Sequence, residues 1–241
     1  MKILITNDDG INAIGLKQLV KVASKYGKCT VVAPKVEQSA KSHSLNLRKD
    51  LEFKKINDIY EGVDTYYLDS TPADCVRVAY SVLDKDFELI LSGVNDGYNL
   101  GEDIHYSGTM AAATEAAILG KKTIAFSTKF NDVDKIYDDL EKVMKYIMDN
   151  NLLDVWPLYN VNIPKEPRGI KITKQGSAYF SDGFRHIEGD MYIQTGDRIP
   201  DECPDDLTRD TVAMEQSYIS ITPLVLTRTE MNTFNKLNNN G

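Results

Sequence analysis

Cysteine and histidine are both scarce in this chain of 241 residues, which contains three of each. Cys29, Cys75 and Cys203 form no CxxC pair and no cluster with histidine. A disulfide framework or a zinc site is therefore not expected. Unpaired thiols are typical of a reducing compartment, so we expect a cytoplasmic protein. The chain also lacks an apolar run of the roughly 20 residues that span a bilayer, which predicts no membrane partner.

Basic residues are fewer than acidic ones. The 28 Lys and Arg residues against 36 Asp and Glu residues give a net charge of −8. Nucleic-acid backbones recruit basic surfaces, so a nucleic-acid duplex is not an expected partner. A small phosphorylated ligand remains compatible with this charge, because a bound cation can supply the positive charge that the protein lacks.

Strand-like and helix-like segments alternate along the first 150 residues. The first three segments form a βαβ unit, which predicts a right-handed crossover between parallel strands. The whole pattern predicts an α/β fold with a Rossmann-like, doubly wound, mostly parallel sheet. The predicted segments are strands 2–6, 28–33, 45–54, 63–68, 87–92 and 123–127, and helices 14–26, 109–119, 133–149 and one that begins at Thr71–Pro72.

The pattern changes after about residue 150. Residues 157–164, 169–174 and 217–224 are typical of strands, residues 176–210 show no periodicity, and a short helix is predicted after Thr229. We therefore predict a core, residues 1–150, that carries the metal and phosphate sites. Residues 151–241 are predicted to complete that core and to add a smaller β-rich C-terminal extension. Apolar strands in this extension need a partner surface, which predicts a homo-oligomer formed by residues from about 176 onward.

Polar side chains follow three of the predicted core strands. Asp8 and Asp9 come directly after the first strand, Ser39 follows the second, and Asn95 follows strand 87–92. Ligands of open α/β sheets bind beyond the carboxyl ends of the strands, so these four residues are expected to converge. Carboxylate, hydroxyl and amide oxygens suit Mg²⁺ or Mn²⁺, which predicts one divalent cation per subunit. The alternative is that Asp8 caps the following helix and Asp9 is solvated.

A second polar group opens the predicted helix 109–119. Ser107, Gly108 and Thr109 place hydroxyl groups and backbone N–H groups at a helix N-terminus, where an anion is favoured. Plain N-capping by Ser107 or Thr109 is the alternative. A cation site and an anion site on one cleft are what the hydrolysis of a phosphate ester requires.

Three further side chains are weaker candidates. His105 precedes Ser107 by two residues and is a candidate proton donor to a leaving group. Tyr98 and Phe184 are candidates for stacking on a nucleobase. An ordinary place in an exposed loop is the alternative for all three.

Six segments in order from residue 3 to about residue 224 resemble one known family, the SurE or survival-protein E 5′/3′-nucleotidases. The start "NDDG" combined with the later pattern SGxNxGxNxGxDxxYSGT is highly specific. The segments are "ILITNDDG", "VVAP" with "QSAKSHSL", "STPADCV", "LSGVNDGYNLGEDIHYSGTMAAATEA", "NVNIP" and "YISITPL". The sequence departs from the family pattern at Ala40 and Ser217, where glycine is usual, and at Arg209, where threonine is usual.

The resemblance implies a divalent-metal-dependent phosphatase that hydrolyses nucleoside 5′- and/or 3′-monophosphates to nucleoside and phosphate by metal-activated water. It also implies a homodimer or homotetramer formed partly by exchange of C-terminal elements. The family's metal ligands fall on Asp8, Asp9, Ser39 and Asn95, and Asp8 and Asp9 are also the predicted catalytic residues. The predicted phosphate-binding residues are Asn95, Ser107, Gly108 and Thr109.

Three other classes of protein place acidic residues after a first strand or hold a nucleotide. A haloacid-dehalogenase-type phosphatase needs a second acid where Gly10 stands. A receiver domain is about half this length and accepts phosphate on a strand-end Asp, whereas "LILSGVN" offers Ser and Asn. A non-catalytic module that binds a magnesium nucleotide would use the same oxygen ligands, and a turnover assay distinguishes it from an enzyme.

Overall fold

The computed structural model describes residues 1–57 and 59–238, so the Asn-rich end of the predicted tail lies outside the described residues. Most predicted core elements are present close to their predicted bounds. The strands are β1 Lys2–Thr6, β2 Lys28–Pro34, β3 Phe53–Ile56, β4 Asp64–Leu68, β5 Leu89–Asp96, β6 Lys122–Thr128, β7 Leu158–Ile163, β8 Gly169–Ile172, β9 Gly183–Glu188, β10 Met191–Thr195 and β11 Tyr218–Pro223. The α-helices are α1 Ile14–Ala23, α2 Pro72–Val78, α3 Gly108–Ile118, α4 Tyr137–Asp149, α5 Leu152–Val155, α6 Asp210–Glu215 and α7 Met231–Asn238.

A nine-stranded sheet forms the centre of the molecule, in the order β3-β4-β2-β1-β5-β6-β7-β11-β8. The six central strands, β4-β2-β1-β5-β6-β7, are parallel to one another. At the two ends of this group, β3 pairs antiparallel with β4 and β11 pairs antiparallel with β7. Successive strands therefore lie on opposite sides of β1, with β2 on one side and β5 on the other. This order confirms the predicted doubly wound sheet and puts its topological switch point between β1 and β5.

The two faces of the sheet are covered by different helices, as the alternation of side chains along a strand requires. Ile3 and Ile5 of β1 pack in the hydrophobic cluster that contains α1 and α4 residues, whereas Leu4 packs in the cluster that contains α2 and α3 residues. All three β1 side chains are fully buried. Burial on both faces explains why the central strands are continuous apolar runs.

Some predicted boundaries were wrong. The strand predicted at 45–54 begins only at Phe53, because its leucine alternation does not reflect burial: Leu47 is 79% exposed. The helix predicted at 133–149 is a 3-10 turn, Val133–Lys135, followed by α4. Residues 176–210 lack periodicity in the sequence, yet they contain the β9–β10 hairpin.

The C-terminal region contributes to two structures. Strands β7, β11 and β8 complete one end of the main sheet, while β9 and β10 pair only with each other in a small antiparallel sheet. The predicted helix near the C-terminus is present as α7. The division of the chain near residue 150 remains a prediction. Among the described residues, no helix combines the length and apolar character needed to cross a membrane.

Candidate active site

A cavity of about 470 Å³ lies at the carboxyl ends of the strands, at the switch point of the sheet. Its wall includes Asp8, Asp9, Ser39, Asn95 and Ser107. The fold therefore brings together the four predicted metal ligands and Ser107, although they are spread over 100 positions of the chain, whereas the predicted phosphate-binding residues Gly108 and Thr109 do not line this cavity.

The turn after β1 fixes the acid pair against the neighbouring strand. Gly10 has φ +95, and a Cβ there would lie 3.2 Å from the backbone carbon of Val36, so glycine is needed at this position. The Asn7 side-chain amide donates to the Gly10 carbonyl at 2.9 Å, and the Ile11 N–H donates to the Pro34 carbonyl at 2.9 Å. These contacts hold the turn in one conformation.

Asp8 is buried against the start of α3. It is 5% exposed, and the Thr109 hydroxyl donates a hydrogen bond to its Oδ1. A Cβ on Gly108 would lie 2.8 Å from the Asp8 Cβ, so only glycine permits this approach of helix and carboxylate. The N-cap position of α1 is Ala13, and no side chain caps that helix. The alternative interpretation of Asp8 as a helix cap is therefore wrong.

The electrostatics of the pair favour a bound cation. Burial raises the pKa of Asp8, and the hydrogen bond from Thr109 opposes this rise. Burial, reinforced by the charge of Asp8, raises the pKa of Asp9 to about 7, although Asp9 Oδ2 accepts from the Asp96 N–H at 3.3 Å. Two carboxylates that resist ionisation together are stabilised by a nearby positive charge.

The remaining predicted ligands lie beside the pair, Ser39 on the loop after β2 and Asn95 near the end of β5, inside the strand and not after it as predicted. The Gln38 N–H donates to the Asp8 carbonyl at 2.8 Å, and the Ser39 hydroxyl donates to Glu37 Oε1 at 2.5 Å. Ala40 has φ 55, the left-handed conformation that the glycine usual in the family adopts readily. The Asn95 side-chain amide nitrogen donates to the Gly97 carbonyl at 2.7 Å, so this bond does not use the amide oxygen.

The donor set fits a hard cation. Within residues 1–57 and 59–238, no group of three or more His, Cys, Asp and Glu side chains is placed to hold a metal ion. The pocket instead provides two carboxylates, a hydroxyl and an amide. An all-oxygen set suits Mg²⁺ or Mn²⁺ and lacks the nitrogen and sulfur donors typical of zinc sites.

The start of α3 combines capping with an open set of donors. Ser107 is the N-cap, and its side chain accepts from the Met110 N–H at 3.1 Å. The capping interpretation of Ser107 is thus correct. The first N–H groups of a helix still have no partner inside the helix, so this position can also bind an anion. The hydroxyl of Thr109 is already engaged with Asp8.

The structure separates the weaker candidates. Tyr98 lines the cavity, whereas Phe184 lies on the exposed β9 strand. His105 lines a second cavity, which shares Ser107 with the first. Sequence reasoning missed other wall residues; the position of Phe130 just after β6 was a usable signal, but Phe180 lies where the sequence shows no periodicity. The missed residues are Glu37, Ala40, Asp96, Asn99, Asp103, Tyr106, Phe130, Phe180 and Asp182.

A doubly wound α/β sheet with paired carboxylates and a helix N-terminus at its switch point defines a class of protein that binds small anionic ligands. Comparison with known proteins gives the family within that class. The model of the family described as survival protein SurE matches residues 3–182. The chain belongs to the SurE family, and the resemblance inferred from the motifs is confirmed.

Relatives and a solved structure agree over nearly the whole chain. A 5′-nucleotidase SurE of Thermoanaerobacter sp. is 38% identical, and the alignment covers 99% of this chain and 97% of the relative. A 5′-nucleotidase SurE of Clostridium beijerinckii is also 38% identical, with 93% and 92% covered. The crystal structure of a SurE protein from Aquifex aeolicus has a TM-score of 0.82 at 31% identity, with 98% of each chain covered.

Proposed function

We propose that this chain uses one divalent cation per subunit, Mg²⁺ or Mn²⁺, to hydrolyse nucleoside 5′- and/or 3′-monophosphates to nucleoside and phosphate. Its relatives in the SurE family are named 5′-nucleotidases, and the chain is a nucleotidase on that ground. The observation that carries the finer proposal is that Asp8 is buried directly against the N-terminus of α3, with the half-buried Asp9 next to it. A cation site and a phosphate site there share one cavity.

The residues that would hold the cation are Asp8, Asp9, Ser39 and Asn95. When bound, the cation polarises a phosphoryl oxygen and lowers the pKa of a neighbouring water. Asp9 is the proton acceptor of the pair in this proposal. It is the less buried of the two carboxylates, and Asp8 has one oxygen occupied by the hydroxyl of Thr109.

The start of α3 would orient the phosphate. In this proposal the backbone N–H groups at Gly108 and Thr109, which have no partner inside the helix, donate to the phosphate. Their dipoles are fixed before substrate binds, so they stabilise the charge that develops on the phosphoryl oxygens without reorganisation. The tight approach of Gly108 to Asp8 keeps the proposed cation and phosphate positions adjacent.

The aromatic part of the cavity wall supports a nucleoside as the rest of the substrate. Tyr106, Phe130 and Phe180 are 59%, 66% and 49% exposed, and Tyr98 is half-buried beside them. Exposed aromatic rings offer stacking surfaces to a nucleobase. Stacking accepts every base because every base has a π-face, so we expect broad use of bases.

The acidic part of the wall supports monophosphates over longer phosphate chains. Glu37, Asp96, Asp103 and Asp182 line the cavity around the acid pair. A single terminal phosphate is neutralised by the cation and by α3. Further phosphates would extend toward carboxylates of the same sign, which repel them.

A phosphate-release screen tests the proposal. The substrates are AMP, GMP, CMP, UMP, 3′-AMP, ADP and ATP, each assayed with Mg²⁺, with Mn²⁺ and with EDTA. We expect release from monophosphates only when a cation is present, and weaker release from ADP and ATP. A preference for ATP over AMP, or full activity in EDTA, would contradict the proposal.

We also propose a homodimer or homotetramer that uses residues from about 176 onward. Every residue of α7 is exposed, and Met231, Phe234 and Leu237 share one face of that helix at three-residue spacing. Phe184 and Tyr192 of the β9–β10 hairpin are 71% and 63% exposed. Apolar surfaces of this kind favour association, here with a second copy of the chain.

A cytoplasmic location, predicted from unpaired cysteines, remains a proposal. All three thiols are free in the structure.

A further inference from the structure

The segment that carries Ser39 is a long surface loop between β2 and β3. Most of its residues from 35 to 52 are exposed, and none of its side chains is fully buried in the hydrophobic core. Ala40 and Ser42 have φ values of 55 and 49, a left-handed conformation that is unfavourable for residues other than glycine. Apolar packing of the loop is confined to its end, where the half-buried Leu51 contacts the hydrophobic cluster of α2 and α3, so polar contacts must hold the part around Ser39 in place.

Backbone hydrogen bonds fasten the loop on either side of Ser39. The Gln38 N–H donates to the Asp8 carbonyl at 2.8 Å, and the Ser42 N–H donates to the Tyr106 carbonyl at 3.1 Å. The first bond ties the loop to the acid pair, and the second ties it to the residue just before the N-cap of α3. Each is a single neutral hydrogen bond, which contributes about 1 kcal/mol to stability.

A side-chain contact adds a stronger fastening. His43 Nε2 lies 2.8 Å from Glu115 Oε2, and Arg77 Nη1 lies 3.1 Å from Glu115 Oε1. The Glu115 side chain is only 5% exposed. The contact with His43, followed by that with Arg77, holds the pKa of Glu115 below its usual range, so the carboxylate is charged and accepts from both sides. Hydrogen bonds to a charged group are stronger than neutral ones.

The position of Glu115 connects its contact with His43 to the candidate active site. Glu115 lies on α3, the helix whose first turn contains Gly108 and Thr109. The contact of His43 therefore connects the Ser39 loop to the element that forms the predicted phosphate position. His43 itself lines the second cavity and is not among the residues around the acid pair.

We propose that His43 is a positioning residue for the cation site, which holds the Ser39 loop onto α3 through Glu115. The inference rests on the proposed function in one respect, because it takes Ser39 as a cation ligand. His43 Nε2–H donates to the Glu115 carboxylate, and this bond keeps the Ser39 hydroxyl beside Asp8 and Asp9. Loss of the bond releases the loop from α3 and weakens the cation site without removing any ligand.

The decisive comparison is His43→Ala against His43→Gln. The glutamine amide can donate to Glu115 from about the same place as the imidazole, so it should restore the contact. Lys41→Ala is the matched control, because Lys41 is an exposed residue of the same loop. Calorimetric titration with Mn²⁺ should show affinity reduced about 10-fold in His43→Ala, the lower end of the range for residues that orient a ligand. His43→Gln and Lys41→Ala should stay within about 3-fold of the unmodified chain.

Two further measurements separate positioning from a general loss of structure. Without metal, amide hydrogen exchange across residues 38–43 should be faster in His43→Ala and unchanged in His43→Gln, while exchange in β1 and β5 stays the same. At saturating Mn²⁺, kcat for AMP in His43→Ala should recover to within a few fold, since the loss lies in cation affinity. If His43→Ala does not fold, Glu115→Gln weakens the same contact from the other side and should shift both readouts in the same direction.

The results distinguish failure of this inference from failure of the proposed function. Absence of Mn²⁺ binding in the unmodified chain would contradict the proposed function, and the metal-free exchange experiment would still test the fastening of the loop. Mn²⁺ binding by the unmodified chain, with equal affinity and equal loop exchange in His43→Ala, would overturn the role of His43. Equal losses in His43→Ala and His43→Gln would also overturn it, since the restored donor would then have no effect.

Discussion

The switch point of the sheet and the C-terminal extension are built in opposite ways. Ile3, Leu4 and Ile5 of β1 are fully buried, and Asp8 just beyond them is 5% exposed. In the β9–β10 hairpin nearly every residue is exposed, and every residue of α7 is exposed. The chain alone therefore determines where the acid pair lies, whereas the extension presents large apolar side chains that nothing in the described chain covers.

Contacts within the chain fix the switch point, whereas the extension has apolar side chains that need a partner. Side chains at the switch point are fixed by strand register, by Gly10 and by the contact of Gly108 with Asp8. The exposed apolar side chains of the extension would be stabilised by a partner, by about 25 cal/mol for each Å² of apolar surface that the partner covers. We expect substitutions in the first region to change turnover and those in the second to change assembly.

The largest effect is expected at the acid pair. Asp8→Asn keeps the size of the side chain and its acceptor oxygen for Thr109, but it removes a charge from the proposed cation site. Phosphate release from AMP with Mn²⁺ should fall about 100-fold or more, beyond the usual effect of a residue that only supports a ligand. Metal-free melting temperature should hold or rise because repulsion with Asp9 is relieved, and the sedimentation profile should not change.

The matched control for this substitution is Asp86→Asn. Asp86 is an exposed carboxylate just before β5, at the opposite end of the strands from the cavity, and its loss should leave turnover unchanged. If Asp8→Asn and Asp9→Asn both keep near-normal turnover and the same Mn²⁺-induced rise in melting temperature, the cation site does not lie at the acid pair.

A smaller effect is expected where α3 meets the acid pair. Gly108→Ala places a Cβ 2.8 Å from the Asp8 Cβ and 2.9 Å from its Oδ2, so helix and carboxylate must separate by a few tenths of an ångström. We expect AMP hydrolysis to fall about 10-fold or more, since displacement of about 1 Å can cost 100-fold.

Gly169→Ala is the control for Gly108→Ala. A Cβ at Gly169 would lie 3.6 Å from its nearest neighbours, two ring carbons of Tyr218, which is an ordinary contact distance. Its turnover should match that of the unmodified chain. Equal turnover in Gly108→Ala and Gly169→Ala would show that the close approach of α3 to Asp8 is not needed for the reaction.

The other side of the comparison is tested on α7. Phe234→Asp puts a charge on the apolar face of the helix, whereas Asn235→Asp puts the same charge one position away, beside that face. Sedimentation velocity at micromolar concentration should show a smaller assembly or more free 27.0 kDa chain for Phe234→Asp. The Asn235→Asp variant should sediment like the unmodified chain. A lone monomer in the unmodified chain would reject the proposed assembly.

The same contrast explains what the sequence predicted well. Strands β1, β2 and β5 each contain a short apolar run that polar residues follow along the chain, so the sequence alone located these strands and, by the rule that sites lie beyond their carboxyl ends, the site. The helix predicted to begin at Thr71–Pro72 does so: Thr71 is the N-cap of α2, and its side chain accepts from the Asp74 N–H at 3.2 Å.

Features that depend on contacts distant in the sequence were not predicted. The β9–β10 hairpin is exposed on both faces, so burial imposes no alternation from which its strands are recognised. Phe180 and Asp182 reach the cavity from that region, and the contact of His43 with Glu115 spans 72 positions. Local periodicity carries no information about such contacts.

The smallest effect is expected in the pH dependence of the stability of the metal-free protein, to which Asp9 contributes. The folded pKa of Asp9 is about 7, against about 3.9 for an unfolded aspartate. Between these values the folded chain binds the proton and the unfolded chain does not, so the contribution of Asp9 to stability falls as pH rises from about 4 to about 7. In EDTA the melting temperature of the unmodified chain should fall across this range by about 5 °C more than that of Asp9→Asn. Saturating Mn²⁺ should abolish the difference in slope, because the cation binds the deprotonated pair. Identical metal-free profiles for the two proteins would mean that Asp9 ionises in the folded chain as freely as it does in the unfolded one.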